Sequence, residues 1–516
     1  MTEAIWPLAL VLGGFASLAL ENLVHPRPRC LGRKLWTYMI HGGIWLLLFT
    51  FWLALVQRPI FAALLSLALW LTVVLVGNAK EATLREPFVF MDFEYFTDAI
   101  KHPRLYLPFL GLWRALGLVL LGIAVVAAAF WAEAPITVQM STVYFLEYLG
   151  LSLLVVFILL WLGDRWSDAP SLCPQEDIRN MGFAPSLWQY GRAERQPIRL
   201  PKARPFGELP AIAADEALRP LSDAVASPPA HLVIVQSESF FDIRRLWPHI
   251  APEPFAKLDS MRKSAYLSGQ IHVPPWGANT IRTEFSLLTG WSPASLGIHQ
   301  FQPYRFLARQ RLPSIAWKLK AQGYRTLCIH PYWSNFYDRH VIYPLLGFDE
   351  FLDISAFNEA DRSGPYIGDQ AIAQKTLELL TQSEQPLFIF IITMENHGPL
   401  HLESITPEER RILLTQDPPV GADDLAIYLR HVAHAGDMLH ALTTKMQTLS
   451  RPGVVAFYGD HVPIMENLYQ NRNFNDGRTD YWLWSSRHEP AQSSHPEIRV
   501  ENLGALAVDL LAMPEA

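Results

Sequence analysis

The sequence predicts a molecule in two parts: an N-terminal region of five membrane-spanning helices, and a C-terminal α/β domain on a mainly parallel sheet. Two observations carry this expectation. Five apolar runs of spanning length fall within residues 1–163. Beyond residue 230, short β-rich runs alternate with helical patterns, as a parallel sheet with crossover helices requires. Composition agrees: the 516 residues are 50% hydrophobic and only 18% charged, against roughly a quarter charged in an ordinary soluble domain. The deficit lies in the first third. A formal net charge of -7 without a long basic run argues against a nucleic-acid partner, which needs a clustered basic face. Cys30, Cys173 and Cys328 are odd in number and far apart, so they form neither a disulfide framework nor a CxxC zinc site.

The apolar runs cover roughly Ile5–Leu23, Trp36–Val56, Ile60–Val76, Tyr106–Trp131 and Val143–Leu162. A span needs about 20 mostly apolar residues, and these runs carry few or no charges. Trp6, Trp36, Tyr106, Trp131 and Tyr148 stand near run ends, where aromatic rings anchor at the interface. Soluble core helices would show a polar face, and these do not. The first run opens on Thr2 and Glu3 rather than a basic region and is followed by no small-residue cleavage site, so a removable signal peptide is not expected. The loop after it carries Arg27, Arg29, Arg33 and Lys34. The positive-inside rule places that loop in the cytoplasm, and with five spans the C-terminal domain would lie there too.

Residues 164–229 read as a juxtamembrane linker. Pro197, Pro201, Pro205, Pro210, Pro220, Pro228 and Pro229 preclude a long helix there. The third part, 230–516, holds the β-rich runs His231–Gln236, Arg325–Ile329, Leu387–Thr393 and Val454–Tyr458, with helical patterns at Ser314–Gln322, Asp369–Leu380, Leu425–Leu449 and Asn502–Leu511. Its length supports one large core.

The strand ends carry the chemistry. Ser237, Glu238 and Ser239 stand after the first strand, His330 after the second, Glu395, Asn396 and His397 after the third, and Gly459, Asp460 and His461 after the fourth. Open α/β sheets bind ligands outside the carboxyl ends of their strands. Glu238, Asp460 and His461 together offer oxygen, oxygen and nitrogen donors, which suit a divalent cation such as Mn²⁺, Mg²⁺ or Zn²⁺. There is no GxSxG elbow for a nucleophile. The segment from Pro274 to Gly290 runs from a Pro/Gly loop into a helical pattern with Thr280 at the entry. A hydroxyl there can ionise beside a cation and face helix N-terminal amides, which also hold a phosphate. Thr280 equally fits an N-cap, and Thr283 is a rival nucleophile. His431, His434 and His440 with Asp437 share one helical pattern that is not placed after a strand end, and are read as structural.

Several of these pieces together resemble the lipoteichoic acid synthase family of phosphoglycerol transferases, within the alkaline phosphatase superfamily. They are Ser237-Glu238-Ser239-Phe240; Asn279-Thr280 with Glu284-Phe285; His330 followed by Phe336-Tyr337-Asp338-Arg339; Glu395-Asn396-His397; and Tyr458-Gly459-Asp460-His461. The stretch Asn78 to Pro87 is similar to the family's segment after its third span. The resemblance implies an α/β/α sandwich, a sulfatase-like catalytic domain over 230–516, and one metal ion, expected to be Mn²⁺, on Glu238, Thr280, Asp460 and His461. It implies attack by Thr280 on phosphatidylglycerol, departure of diacylglycerol, and passage of glycerol phosphate to an envelope glycan or polymer. Arg339, His397, His330 and Tyr337 would contact the substrate; an arginine fork suits phosphate. Assigning His330 and His397 to substrate leaves ligands for one metal rather than two. It further implies a multi-pass protein of the bacterial inner membrane, with the catalytic domain on the outer, periplasmic face. This runs against the basic loop. Lipid head groups given to envelope glycans react on that face, so the outer placement is the expectation.

Two positions depart from the family pattern: Asn279 stands where lysine is usual, and Tyr337 where tryptophan is usual. Asn279-Thr280 also resembles the phosphoethanolamine transferases of the superfamily, whose soluble domains usually carry several disulfides; Cys328 is the lone cysteine of this domain. No cysteine lies in the CxPxR-type context of formylglycine sulfatases. Phosphoethanolamine transfer is the alternative within enzymes, and an inactive lipid- or glycan-binding member is the alternative outside them.

Overall fold

The computed structural model describes residues 5–29, 32–101, 112–138, 140–209, 229–490 and 495–514. The chain divides into two compact units, Met1–Pro197 and Ile198–Ala516.

The first unit is helical. Trp6–Leu23, Leu35–Val56, Pro59–Leu84 and Thr142–Arg165 are long and apolar enough to cross a membrane. A further apolar helix, Leu112–Ala132, has 21 residues; the beginning of the fourth run read from the sequence, 106–111, lies outside the described residues. Leu35–Val56 lies along Thr142–Arg165, and Pro59–Leu84 along the first helix. Small residues permit the first of these approaches. A Cβ on Gly43 would stand 2.7 Å from the Leu160 side chain, and one on Gly163 would stand 2.7 Å from Ile40. Some charged residues of this unit are buried in pairs. Glu21 accepts from Arg33 at 2.5 Å and from the Ala184 amide at 3.0 Å, and Lys80 donates to Asp92 at 2.6 Å. The segment read as the start of the linker folds within this unit as two helices, Pro174–Met181 and Phe183–Glu194. The prolines that forbid helix begin only at Pro197.

The second unit is built on an eight-stranded sheet. Its strands are β1 (His231–Ser237), β2 (Leu267–His272), β3 (Arg325–Ile329), β4 (Glu350–Leu352), β7 (Leu387–Ile392), β8 (Gly453–Gly459), β9 (Thr479–Ser485) and β10 (Ile498–Arg499), while β5 (Arg362–Ser363) and β6 (Tyr366–Ile367) make a separate ribbon. The order is β10-β2-β9-β8-β1-β7-β3-β4. Strand β9 pairs antiparallel with both neighbours, and every other pair in this sheet is parallel. β1, β7 and β8 are buried along their whole length, as strands covered on both faces must be. Val233 and Val235 enter the core under helices Asp369–Gln382 and Asp424–Thr448. Leu232 and Ile234 enter the opposite core, under Thr280–Thr289 and Val500–Ala512. The domain is therefore an α/β/α sandwich.

The four strands expected from sequence are the inner parallel set β8-β1-β7-β3. The structure adds β2, β4, β9 and β10 at the sides. Ser314 caps its helix by accepting from the Trp317 amide at 3.2 Å, so that helix proper is Ile315–Lys320.

Candidate active site

The carboxyl ends of β1 and β8 stand side by side, with Ser237 paired to Gly459. The chain turns sharply after both. Ser239 has φ 52. A Cβ on Gly459 would lie 1.8 Å from the Phe240 carbonyl oxygen, so only glycine permits this crossing. The turn delivers Glu238, Asp460 and His461 to one point, where one ligand atom of each lies within 4.8 Å of the others. All three are buried.

Each donor is aimed by its surroundings. Asp460 Oδ1 accepts from the Ser239 and His461 amides, both at 2.9 Å. Its Oδ2 is buried without a hydrogen-bond partner among the described residues, 3.4 Å from His461 Nε2. His461 Nδ1 lies 3.1 Å from the Val462 carbonyl. That acceptor requires a proton on Nδ1, so Nε2 presents its lone pair to the cluster. Nε2 is 3.6 Å from Glu238 Oε1, which also accepts from Ser239 Oγ at 2.8 Å. Burial, and then the Asp460 carboxylate, push Glu238 up to about 7. Two facing carboxylates, one orphaned oxygen and one imidazole lone pair fit a divalent cation.

Thr280 opens the helix Thr280–Thr289. The cap position belongs to Asn279, in the left-handed region at φ 67, which asparagine tolerates better than most residues. Thr280 is thus the first helical residue, half-buried. One turn on, Thr283 is fully buried and donates to the Asp460 carbonyl at 2.8 Å. Residues three apart share a helix face, so Thr280 lies on the face that meets the Asp460 loop.

Arg339 is buried to 1% exposure. Its Nη2 and Nε donate to Glu284 at 2.8 and 3.2 Å, and Nη1 is 3.1 Å from His330 Nε2. The other ring nitrogen of His330 meets the Ile392 carbonyl at 3.2 Å. Both nitrogens of His330 are thus engaged within the protein, and burial, then Arg339, hold it neutral, well below the ordinary imidazole range. Tyr337 lays its ring beside the Arg339 guanidinium at 5.3 Å. His397 Nδ1 lies 2.8 Å from the Gly398 carbonyl and 3.2 Å from the Tyr366 hydroxyl; burial lowers its pKa.

Two residues that the sequence places after the third strand, Asn396 and Glu395, tie the loops of the site together, with partners that the sequence does not announce. Asn396 donates to the Glu238 and Ser239 carbonyls at 3.3 and 3.4 Å and meets His431 Nδ1 at 3.1 Å. Glu395 meets His434 at 2.5 Å, Ser363 at 2.6 Å and the Asp369 amide at 2.7 Å. The histidines of helix Asp424–Thr448, visible in sequence by their spacing of three, thus brace the loop carrying His397.

A family model described as Sulfatase matches residues 230–513, more than half of the chain. The chain belongs to the sulfatase family. Cys328 lies inside β3 and is buried, so within this sulfatase fold the helix entry near the cation cluster carries threonine, not cysteine. The capsular polysaccharide biosynthesis protein RkpI of Rhizobium meliloti is 28% identical over 480 residues, covering 85% of this chain and 79% of that protein. A putative cyclic beta-1,2-glucan modification protein of the same organism is 26% identical, covering 83% and 67%. The lipoteichoic acid synthase of Staphylococcus saprophyticus is 25% identical over 190 residues, 34% of this chain and 28% of the synthase. Among solved structures, the integral membrane lipooligosaccharide phosphoethanolamine transferase A of Neisseria meningitidis matches with TM-score 0.56 at 13% identity, covering 98% of this chain and 95% of that one. That likeness is one of fold, and it extends through the helical region. The chain is a membrane protein carrying an enzyme domain of the alkaline phosphatase superfamily.

Proposed function

We propose that the protein is a membrane-bound phosphoglycerol transferase, moving glycerol phosphate from phosphatidylglycerol to a hydroxyl of an envelope glycan or polymer through a phosphothreonine on Thr280. The observation that carries this reading is the docking of the Thr280–Thr289 helix, through Thr283, onto the Asp460 loop. It brings a half-buried hydroxyl at a helix N-terminus toward the Glu238/Asp460/His461 cluster. Glu238, Asp460 and His461, with Thr280 beside them, would hold one divalent cation, with Mn²⁺ the expected ion. When bound it supplies positive charge that draws in an anionic phosphodiester and favours loss of the Thr280 proton. The relatives named for capsular polysaccharide, glucan and lipoteichoic acid support a glycan or polymer acceptor.

Thr280 Oγ1 attacks phosphorus, and the bond to the diacylglycerol oxygen breaks. Diacylglycerol leaves carrying the proton that Thr280 gave up. The Arg339 guanidinium and the amides of the helix N-terminus share the phosphate's negative charge. An acceptor hydroxyl then attacks, the bond from phosphorus to Oγ1 breaks, and Thr280 regains a proton. With Nδ1–H on the Gly398 carbonyl, neutral His397 presents Nε2 as the base for that hydroxyl.

The test supplies full-length protein in detergent and Mn²⁺ with head-group-labelled phosphatidylglycerol. Diacylglycerol release and a glycerol phosphate adduct on the Thr280 peptide are expected. Thr280→Ala should abolish both, and Asp460→Asn should lose the cation. Full activity of Thr280→Ala, or an adduct on Thr283, would overturn the assignment. Asn279 ahead of Thr280 favours a second reading, phosphoethanolamine transfer. Turnover of phosphatidylethanolamine in place of phosphatidylglycerol would establish it. In either reading the catalytic domain lies on the outer face of the bacterial inner membrane, where both acceptor and donor head group are exposed.

A further inference from the structure

Glu284 is wholly buried and lies one helical turn after Thr280. Its two oxygens take four donors. Arg339 supplies two, and the hydroxyls of Tyr304 and Tyr343 both reach Oε1, the latter at 2.5 Å. Both tyrosines are held protonated, by burial first and then by the Glu284 carboxylate, so both act as donors. The Arg339 edge not held by Glu284 meets His330, whose tautomer is fixed by the Ile392 carbonyl at the end of β7. The guanidinium is therefore fixed from two sides: by the helix that begins with Thr280 and by the sheet edge.

We propose that Glu284 is a positioning residue that locks Arg339 to the Thr280 helix, so that the group receiving the phosphate charge and the attacking hydroxyl keep one fixed separation. The inference rests on the transfer reading above and deepens it. A carboxylate at this position matters through orientation. Arginine offers five N–H groups in a rigid fork. With Nε and Nη2 turned to Glu284, the fork has one orientation; one N–H of Nη1 meets His330, and its second N–H is the one assigned to the phosphate in this proposal. An amide in place of the carboxylate keeps the volume but removes the charge-assisted pair and turns one acceptor into a donor facing Arg339. The fork then has no fixed orientation.

The test uses full-length protein in detergent, with glycerol phosphate and Mn²⁺ as separate probes in calorimetry and diacylglycerol release as a third reading. Glu284→Gln is expected to weaken glycerol phosphate binding about tenfold or more and to lower turnover about a hundredfold, with Mn²⁺ affinity within about threefold of wild type. Tyr343→Phe keeps the carboxylate and removes one donor. It should weaken glycerol phosphate binding about threefold and leave Mn²⁺ untouched. Joint loss of both ligands in the two variants would mean a merely structural role and overturn the proposal, as would unchanged glycerol phosphate affinity in Glu284→Gln. Wild-type protein that binds glycerol phosphate but releases diacylglycerol from no lipid would refute the transfer reading alone, and the binding arm would still decide for or against Glu284. Wild-type protein that binds no glycerol phosphate would overturn both.

Discussion

At the scale of single residues, the cation cluster depends on one missing Cβ. Gly459→Ala would place a methyl 1.8 Å from the Phe240 carbonyl oxygen, and a backbone atom cannot rotate away as a flexible side chain can. We expect a loss of more than about 3 kcal/mol, beyond ordinary overpacking, together with loss of the proposed Mn²⁺ binding, since Asp460 is the next residue. Thermal unfolding and calorimetry check this; an alanine variant that melts and binds like wild type would show that the crossing relaxes. The Glu395–His434 pair makes a pH prediction. Burial alone would raise Glu395, but its hydrogen bond to His434 and the other donors leave it below the ordinary value of 4.5. The same bond raises His434 above 6.5, with Asp437 adding and Arg430 opposing. Asp369 nearby is pushed well up by burial, then by Glu395, and is neutral. The lowered carboxylate stabilises the fold above 4.5, and that contribution is lost as pH falls through its folded pKa. The raised imidazole stabilises below 6.5, and that contribution is lost as pH rises through its folded pKa. His434→Gln should therefore cost most stability between 4.5 and 6.5 and progressively less on either side; a cost that does not vary with pH would refute it. The Glu238, Asp460 and His461 cluster was legible in sequence because strand ends announce themselves. The positions of Asn396 and Ser239 were legible in the same way, but their contacts were not, because these come from backbone turns. The spacing of His431 and His434 was visible, but the loop they brace is some 35 residues away in sequence.

At the scale of elements, periodicity found what is long or fully buried. The inner strands read as continuous apolar runs because helices cover both faces. Leu267–His272 holds only two large apolar residues, carries Gly269 and is only partly buried, and Glu350–Leu352 has three residues, so neither gives a pattern. Thr479–Ser485 is wholly buried but mixes Asp480 and Thr479 with its aromatics; Arg245 supplies the partner that lets Asp480 lie inside. In the helical unit, the contact between Leu35–Val56 and Thr142–Arg165 is set by glycines that a hydropathy reading passes over. Gly163→Leu brings a side chain against Ile40 at 2.7 Å and the Trp36 carbonyl at 3.2 Å. It should destabilise the helical unit by about 1–3 kcal/mol, measured as earlier unfolding in a titration with sodium dodecyl sulfate. An unchanged midpoint would mean that the two helices separate freely.

At the scale of the whole molecule, the two-part plan was legible because lipid and water demand different compositions. The place of the linker was less so: 174–194 forms two helices of the first unit, held by contacts such as Tyr190 to Asp177 at 2.9 Å that join residues no local pattern links. The proposed outer placement of the catalytic domain opposes the basic loop Arg27–Lys34. In the structure two of its charges are already taken, since Arg33 is paired with buried Glu21 and Lys34 with Asp168 at the surface. A cysteine engineered on the exposed surface of the second unit should react with a membrane-impermeant thiol reagent in intact cells; no labelling beside a labelled outer control would place the domain inside. The cation cluster also bears on how long the protein survives. Glu238 and Asp460 face each other in a buried space with one oxygen unpartnered among the described residues, so the fold carries an internal repulsion that the proposed cation would relieve. A ligand that binds only the folded state stabilises it by about 2.7 kcal/mol when present at a hundred times its Kd. Cells starved of the metal should then hold less of this protein as well as a less active one, because the empty form unfolds more often and is open to proteases. Abundance itself becomes a gauge of metal supply.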